Sequence, residues 1–245
     1  MVAAVAVEPS LRLEGVWTHL PVADGDAEED RVFTESQLDL FDRLVAALAT
    51  EGTSVPLLHA ANTAGTIAFP RSRYSMVRCG LGLYGYLPAA GLRDAFDVQS
   101  GGAVLRPAMS LKARVVAVRA LDAGERPSYG RLRPLPARSV VATVPIGYAD
   151  GVPRGLFTNG YEVLIGGLRR PLAGTVTMDQ IVVDCGDDPS VQPGDEVVLL
   201  GRQGDETVTA DDWAALLGTI SWEVLCGVGP RMPRILVNRP DLPDG

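Results

Sequence analysis

The chain has 245 residues, 47% hydrophobic and 21% charged, enough for one large or two modest domains with real cores. Its formal net charge is -8 and its sequence pI about 4.8, which argues against nucleic acid or an anionic membrane surface as partner. No apolar stretch reaches the roughly 20 residues that span a bilayer, and the opening MVAAVAVEPS lacks the basic n-region of a signal peptide.

Strand and helix signals alternate through the first hundred residues. "LEGVWTHL" (13–20) is a short apolar strand candidate, followed by the acidic loop DGDAEED. Thr34 and Gln37 form a T-x-x-Q capping pattern, and Leu38, Phe41, Leu44, Val45 and Leu48 then fall on one helical face up to Gly52. "VPLLHAAN" (55–62) predicts a second strand, "TAGTIAF" a helical turn stopped by Pro70, and "YSMVRCGLGLYG" (74–85) a third strand running into a glycine-rich loop. Strand–helix alternation of this kind implies a parallel sheet. A whole (β/α)8 barrel needs roughly 200 to 250 residues. This stretch therefore holds about the last three βα units of such a barrel, or a small α/β domain.

Residues 86 to 103 form a Gly/Pro-containing connector. Beyond it, "SLKARVVAV", "SVVATVPIGY", "YEVLIGG", "RRPLAGTVTM", "QIVVDCG" and "DEVVLLG" are short β-rich runs separated by Gly, Pro and Asp. They predict a mostly antiparallel sandwich or barrel-like domain, interrupted by one helix near 210–217 between Thr209 as N-cap and Gly218 as stop. The domain division expected is 1–100 and 101–245.

Candidate site residues gather where the predicted strands end, the end at which parallel barrels build their sites. His19 closes the first strand. Thr63 offers a hydroxyl beside a helix start, a common way to hold phosphate, and Gly80 and Gly82 let backbone N–H groups approach a ligand. His59 reads as a satisfied core or layer histidine. In the β-rich half, Tyr129 stands in a Pro/Gly turn, Tyr148 in a loop after a strand, and Met178–Asp179 between two strands. A tyrosine used as a base starts from a pKa of about 10 and needs cationic neighbours. Cys79, Cys185 and Cys226 are widely spaced and odd in number, form no CxxC pair, and fit a reduced, cytoplasmic protein.

Together "EGVWTHLP", "HAANTAGT", "MVRCGLGLYG", "SYG", "VPIGYADGVPR", "GTVTMDQIVVD" and "EVLCGVGPRMPR" resemble the blocks of the alanine racemase family, in that family's order, from about residue 13 to 237. The resemblance implies a partial (β/α)8 barrel followed by a mostly antiparallel β domain. It further implies pyridoxal 5'-phosphate as cofactor, alanine as substrate and D-alanine supply for peptidoglycan as role. In that reading Arg78 faces the pyridine nitrogen, Thr63, Gly80 and Leu81 hold the phosphate, and His19 lies near the ring and links towards Arg78. Tyr129 is one of two acid/base groups and reaches into the partner's site in a homodimer. Tyr148, Met178 and Asp179 line the substrate entrance and bind the carboxylate end. Serine or another amino acid is the alternative substrate.

The sequence departs from the family in one respect that matters for chemistry. The Schiff-base lysine block, the early barrel strands and the carboxylate-positioning arginine of the family have no counterpart here. The expectation is that they lie in another segment, lost to a misplaced start, a truncation or a split gene. Lys112, the one lysine of the 245 residues, alternates with Leu111 and Ala113 on the face of Arg114 and reads as a solvated strand residue. The chain by itself is therefore expected to be inactive, and a non-catalytic dimerisation module is the competing reading. Pro230 stands where some family members carry a phosphate-binding tyrosine.

Overall fold

The computed structural model describes residues 2–237 and falls into two compact units, Met1–Ala108 and Met109–Gly245. The first carries helix α1 (Val2–Val7), strand β1 (Gly15–Trp17), helix α2 (Glu28–Thr50), strand β2 (Leu57–His59) and helices α3 (Thr63–Ala68) and α4 (Arg93–Ser100). β1 and β2 pair in parallel, with Val16 opposite Leu58 and Trp17 opposite His59, and α2 is the crossover between them. Leu38 of α2 packs with Leu20, Ala60, Ala64, Ile67 and Leu92 into the core of this unit.

Two sequence expectations need correction. α2 starts at Glu28, six residues before the T-x-x-Q pattern, and its first turn holds Glu28, Glu29 and Asp30, which suit the positive end of the helix dipole. Thr34 is not a cap; it is fully buried inside the helix, on the face that carries Leu38, Phe41 and Leu48. The third expected strand does not form either. Residues 75–78 run beside β2, but Ser75 intrudes with its side chain. Leu58 N–H donates to Ser75 Oγ, which itself donates to Leu58 O, so a hydroxyl occupies a place a ladder carbonyl needs. Only the backbone bonds Ser75 N to Leu58 O (3.1 Å) and Arg78 N to Ala61 O (2.9 Å) remain. The latter fixes Arg78 at the end of β2.

Asn62 sets the geometry of the next turn. Its side-chain oxygen accepts from Gly65 N–H as the N-cap of α3, while its amide donates to Leu20 O. One residue thus ties the loop after β1 to the helix after β2.

The second unit contains β3 (Leu111–Arg114), β4 (Ala117–Leu121), β5 (Ser139–Val144), helix α5 (Gly155–Thr158), β6 (Glu162–Ile165), β7 (Leu168–Pro171), β8 (Ile181–Asp184), β9 (Glu196–Gln203), β10 (Glu206–Val208) and helices α6 (Ala210–Leu217) and α7 (Ser221–Gly227). Every strand pair here is antiparallel. One sheet runs β10-β9-β6-β7 with β3 also on β9, and a second runs β4-β5-β8. A single bridge, Leu172 to Val183, passes between β7 and β8. Val163, Leu164, Ile165, Val197, Val198 and Leu199 are fully buried, so β6 and β9 are apolar runs with little alternation. Lys112 lies on exposed positions of β3 and pairs with Glu196 at 3.0 Å, as a solvated strand lysine does.

The expected single helix is α6, with the expected bounds. Thr209 and Asp212 form a reciprocal capping box, and Gly218 closes the helix at φ +68°, a left-handed turn that glycine adopts without strain. Two further helices, the one-turn α5 and α7, fall outside that expectation, and α7 starts at Ser221 with no side-chain cap. Thr209→Ala should lower the stability of this unit by about 1 kcal/mol in urea titration. A change within a few tenths of a kcal/mol would show that the cap contributes nothing.

Candidate active site

In the first unit the ends of β1 and β2 converge on Arg78. One guanidinium nitrogen lies 2.7 Å from His59 Nδ1. The other donates to Thr18 O at 2.9 Å and Ala60 O at 3.2 Å, and lies 3.3 Å from His19 Nδ1. Trp17 completes the cluster: its ring stacks on His59 at 6.3 Å between centroids, and the Arg78 guanidinium sits 5.3 Å from the ring centre. Among the described residues no carboxylate pairs with Arg78. The cation is held by neutral acceptors, and its burial lowers its pKa from the ordinary arginine value. A guanidinium keeps its proton at all working pH values, so a ring nitrogen facing it can act only as acceptor.

His59 is the partner of Arg78 that the sequence patterns do not single out. Its pKa is lowered, first by burial and then by the facing charge of Arg78. A neutral imidazole with a free Nδ1 lone pair is what the 2.7 Å contact requires. The available signal was register: His59 lies directly across from Trp17, two residues before His19. The expected link from His19 to Arg78 exists but is the longer of the two.

Beside this cluster, the loop after residue 78 wraps a hydroxyl. Gly80 N and Gly82 N both donate to Thr63 Oγ1, at 3.2 and 3.3 Å. A Cβ on Gly82 would meet Thr63 Cγ2 at 2.9 Å, whereas one on Gly80 would meet nothing within 4 Å. Thr63 and Leu81 are buried. The donors therefore converge on one small polar patch that is closed on the Gly82 side and open at Gly80.

In the second unit one segment, residues 174–179, holds the remaining candidates together. At one end Ser128 Oγ donates to Thr175 O (2.6 Å) and Thr175 Oγ1 donates to Tyr129 O (2.9 Å). Ser128 and Arg131 flank Tyr129 at φ +69° and +47°, backbone that L-residues rarely adopt, so these clamps hold the turn against strain. The Tyr129 ring projects into solvent, 72% exposed. At the other end Tyr148 N donates to Thr177 O and Ala149 N to Met178 O, both at 3.0 Å. Gly147 makes this possible, since a Cβ there would fall 2.3 Å from Thr177 O. Tyr148, Met178 and Asp179 are all exposed along this ridge.

His59 should titrate below the reference histidine pKa of about 6.5, read by NMR of its ring protons. Because the folded pKa is depressed, this group's contribution to stability is complete above the unfolded value. It is lost as pH falls through the folded one. His59→Gln should flatten that acid limb; a midpoint at or above the unfolded value would contradict the geometry.

Each of the two units matches a known family model. Residues 1–88 match the family described as alanine racemase, N-terminal domain, and residues 108–236 match alanine racemase, C-terminal domain. The chain is similar to an alanine racemase of Nostoc sp., 44% identical over 93% of this chain and 56% of that protein. One of Symbiobacterium thermophilum is 45% identical over 91% of this chain and 56% of the relative. The alanine racemase of Bacillus anthracis, solved with bound L-Ala-P, superposes with a TM-score of 0.85 at 34% identity, covering 95% of this chain and 57% of that one. That of Streptomyces coelicolor gives 0.84 at 34% identity, covering 97% and 60%. The chain thus spans a little under three fifths of the length of the curated relatives it matches. Its fold is a partial (β/α)8 barrel followed by a mostly antiparallel β domain, and the chain belongs to the alanine racemase family.

Proposed function

We propose that this chain supplies the cofactor cradle and the tyrosine base of a pyridoxal 5'-phosphate-dependent alanine racemase. The observation that carries the reading is Arg78, a partly buried cation with neutral partners and no carboxylate among the described residues. That arrangement suits a ligand ring whose nitrogen accepts, and an anionic group nearby. The Thr63 patch suits the anion: the hydroxyl accepts from Gly80 N and Gly82 N, with Leu81 between them, and keeps its own proton to donate. These residues fit the cofactor. In this reading residues 1–100 are the cofactor-holding barrel segment and 101–245 the β domain.

Bound there, pyridoxal phosphate supplies an electron sink that acidifies the α-hydrogen of the amino acid. The protein's part is to orient and to move protons. Arg78, kept in place by His59 and two backbone carbonyls, holds the ring nitrogen unprotonated and so limits how far charge is withdrawn. Tyr129 carries the proton at Oη on one face of the α-carbon, on a second copy of the chain in a homodimer. Tyr148, Met178 and Asp179 orient the carboxylate end of alanine. Inverting the stereocentre needs a second proton carrier on the opposite face. Lys112 is engaged with Glu196 on β3 and β9, remote in kind from a nucleophilic site lysine. The second carrier therefore comes from a lysine-bearing segment outside these 245 residues. Three unpaired cysteines, Cys79, Cys185 and Cys226, support a reducing, cytoplasmic setting for the assembled enzyme.

Two experiments test the reading. The chain alone, treated with cofactor and borohydride and mapped by mass spectrometry, should carry no reduced adduct at Lys112 and form no D-alanine. Joined to the lysine-bearing N-terminal segment of a relative, it should form D-alanine, and Tyr129→Phe should slow proton exchange on one face by about 100-fold or more. Turnover by the unaccompanied chain, or none from the completed one, would refute it.

A further inference from the structure

Arg231, in the "GPRMPR" stretch, joins the two loops that carry Tyr148 and Met178–Asp179. Its Nε lies 3.2 Å from Asp150 Oδ1 and a terminal nitrogen lies 2.8 Å from Asp179 Oδ1. Asp150 is 2% exposed. Its Oδ2 accepts from Gly147 N at 2.9 Å, but its buried Oδ1 has no hydrogen-bond partner. The guanidinium is thus the group that compensates this oxygen, and an uncompensated buried carboxylate is costly. Asp150 is also tied to Arg231's own segment, since Gly229 N donates to Asp150 O at 3.2 Å. At Asp179 the situation reverses: carboxylate and guanidinium are both about half exposed. A pair of that kind is weak by itself. It gains direction here because the same guanidinium is also anchored on a buried charge.

We propose that Arg231 is a positioning residue that clips the Met178–Asp179 loop to the Tyr148 loop and so sets the part of the entrance that receives the substrate's carboxylate end. The clip acts through geometry at two carboxylates, not by touching substrate. The backbone bonds Tyr148 N to Thr177 O and Ala149 N to Met178 O close the same two loops, and Arg231 adds a side-chain link between them. The entrance role rests on the reading of Met178–Asp179 given above; the clip itself does not.

Amide exchange of the 245-residue chain, read by NMR, tests the clip in Arg231→Met, Arg231→Lys and Asp179→Asn. Arg231→Met should speed exchange at Tyr148, Ala149 and Thr177 by about tenfold or more while the β6 amides Val163–Ile165 hold. Arg231→Lys should recover part of the protection. Asp179→Asn should release Thr177 and Gln180 but leave Gly147, whose partner Asp150 stays paired. Loop exchange in Arg231→Met within about twofold of the parent, or an equal rise in β6, would overturn the proposal. In the completed racemase, Arg231→Met should raise KM for alanine about tenfold with kcat little changed, and Arg231→Lys should be intermediate. A fall in kcat at constant KM would overturn the entrance role. A parent enzyme that makes no D-alanine would instead sink the functional reading, with the exchange data still deciding the clip.

Discussion

A guanidinium that lacks a carboxylate organises the first unit. Arg78 stands among Trp17, Thr18, His19, His59 and Ala60, donates to two backbone carbonyls and faces two imidazoles. Such an environment desolvates a charge without neutralising it, which is why burial is the cause of its lowered pKa. Evolution of a stable fold would favour an acidic partner at this position. Leaving the charge unpaired makes sense if a ligand supplies the complement; under the proposed function the neighbouring Thr63 hydroxyl, which accepts from Gly80 N and Gly82 N, would meet the anion of that ligand. Neutral His59 matters here. A protonated ring would repel the guanidinium it has to orient.

The second unit solves a different problem, that of holding exposed side chains still. Tyr129, Tyr148, Met178 and Asp179 gain little from burial. Their order comes from the backbone of residues 174–179, which is bonded to the Tyr129 turn on one side and to the Tyr148 loop on the other. Gly147 permits contacts with the carbonyls of Thr177 and Met178 that any side chain would block. Strain at Ser128 is tolerated because the Ser128 and Thr175 hydroxyls bond the Ser128–Tyr129 pair to Thr175. A ridge assembled this way is fixed at its attachments and leaves these side chains exposed.

Much of this was legible in the sequence, and the failures share a cause. α6 was read correctly at both ends because Thr209, Asp212 and Gly218 act locally. Thr34 carried the same kind of local signal and was misleading. Its side chain faces the core, so tertiary burial decided its place, and the acidic residues Glu28–Asp30 marked the true start. The third strand was lost to one hydroxyl, that of Ser75, which no hydrophobic pattern reveals. His59 was read as a core residue since its neighbours in sequence are apolar; its partner Arg78 is 19 residues away and reaches it only through the β1–β2 register. Tyr129, Tyr148, Met178 and Asp179 stand out in the sequence by their turn and loop positions and take their roles from family resemblance, while the hydrogen bonds that link their loops are visible only in the fold.

The claim on which the account turns is that Arg78 and the Thr63 patch form one site for a phosphorylated pyridine. The most direct measurement is calorimetric titration of the chain with pyridoxine 5'-phosphate, which binds without a lysine, in parallel with Arg78→Gln. The account predicts saturable binding by the parent chain, amide shifts at Gly80 and Gly82, and affinity at least about tenfold weaker in the variant. Equal affinity in both proteins, or binding that leaves those amides unshifted, would contradict it.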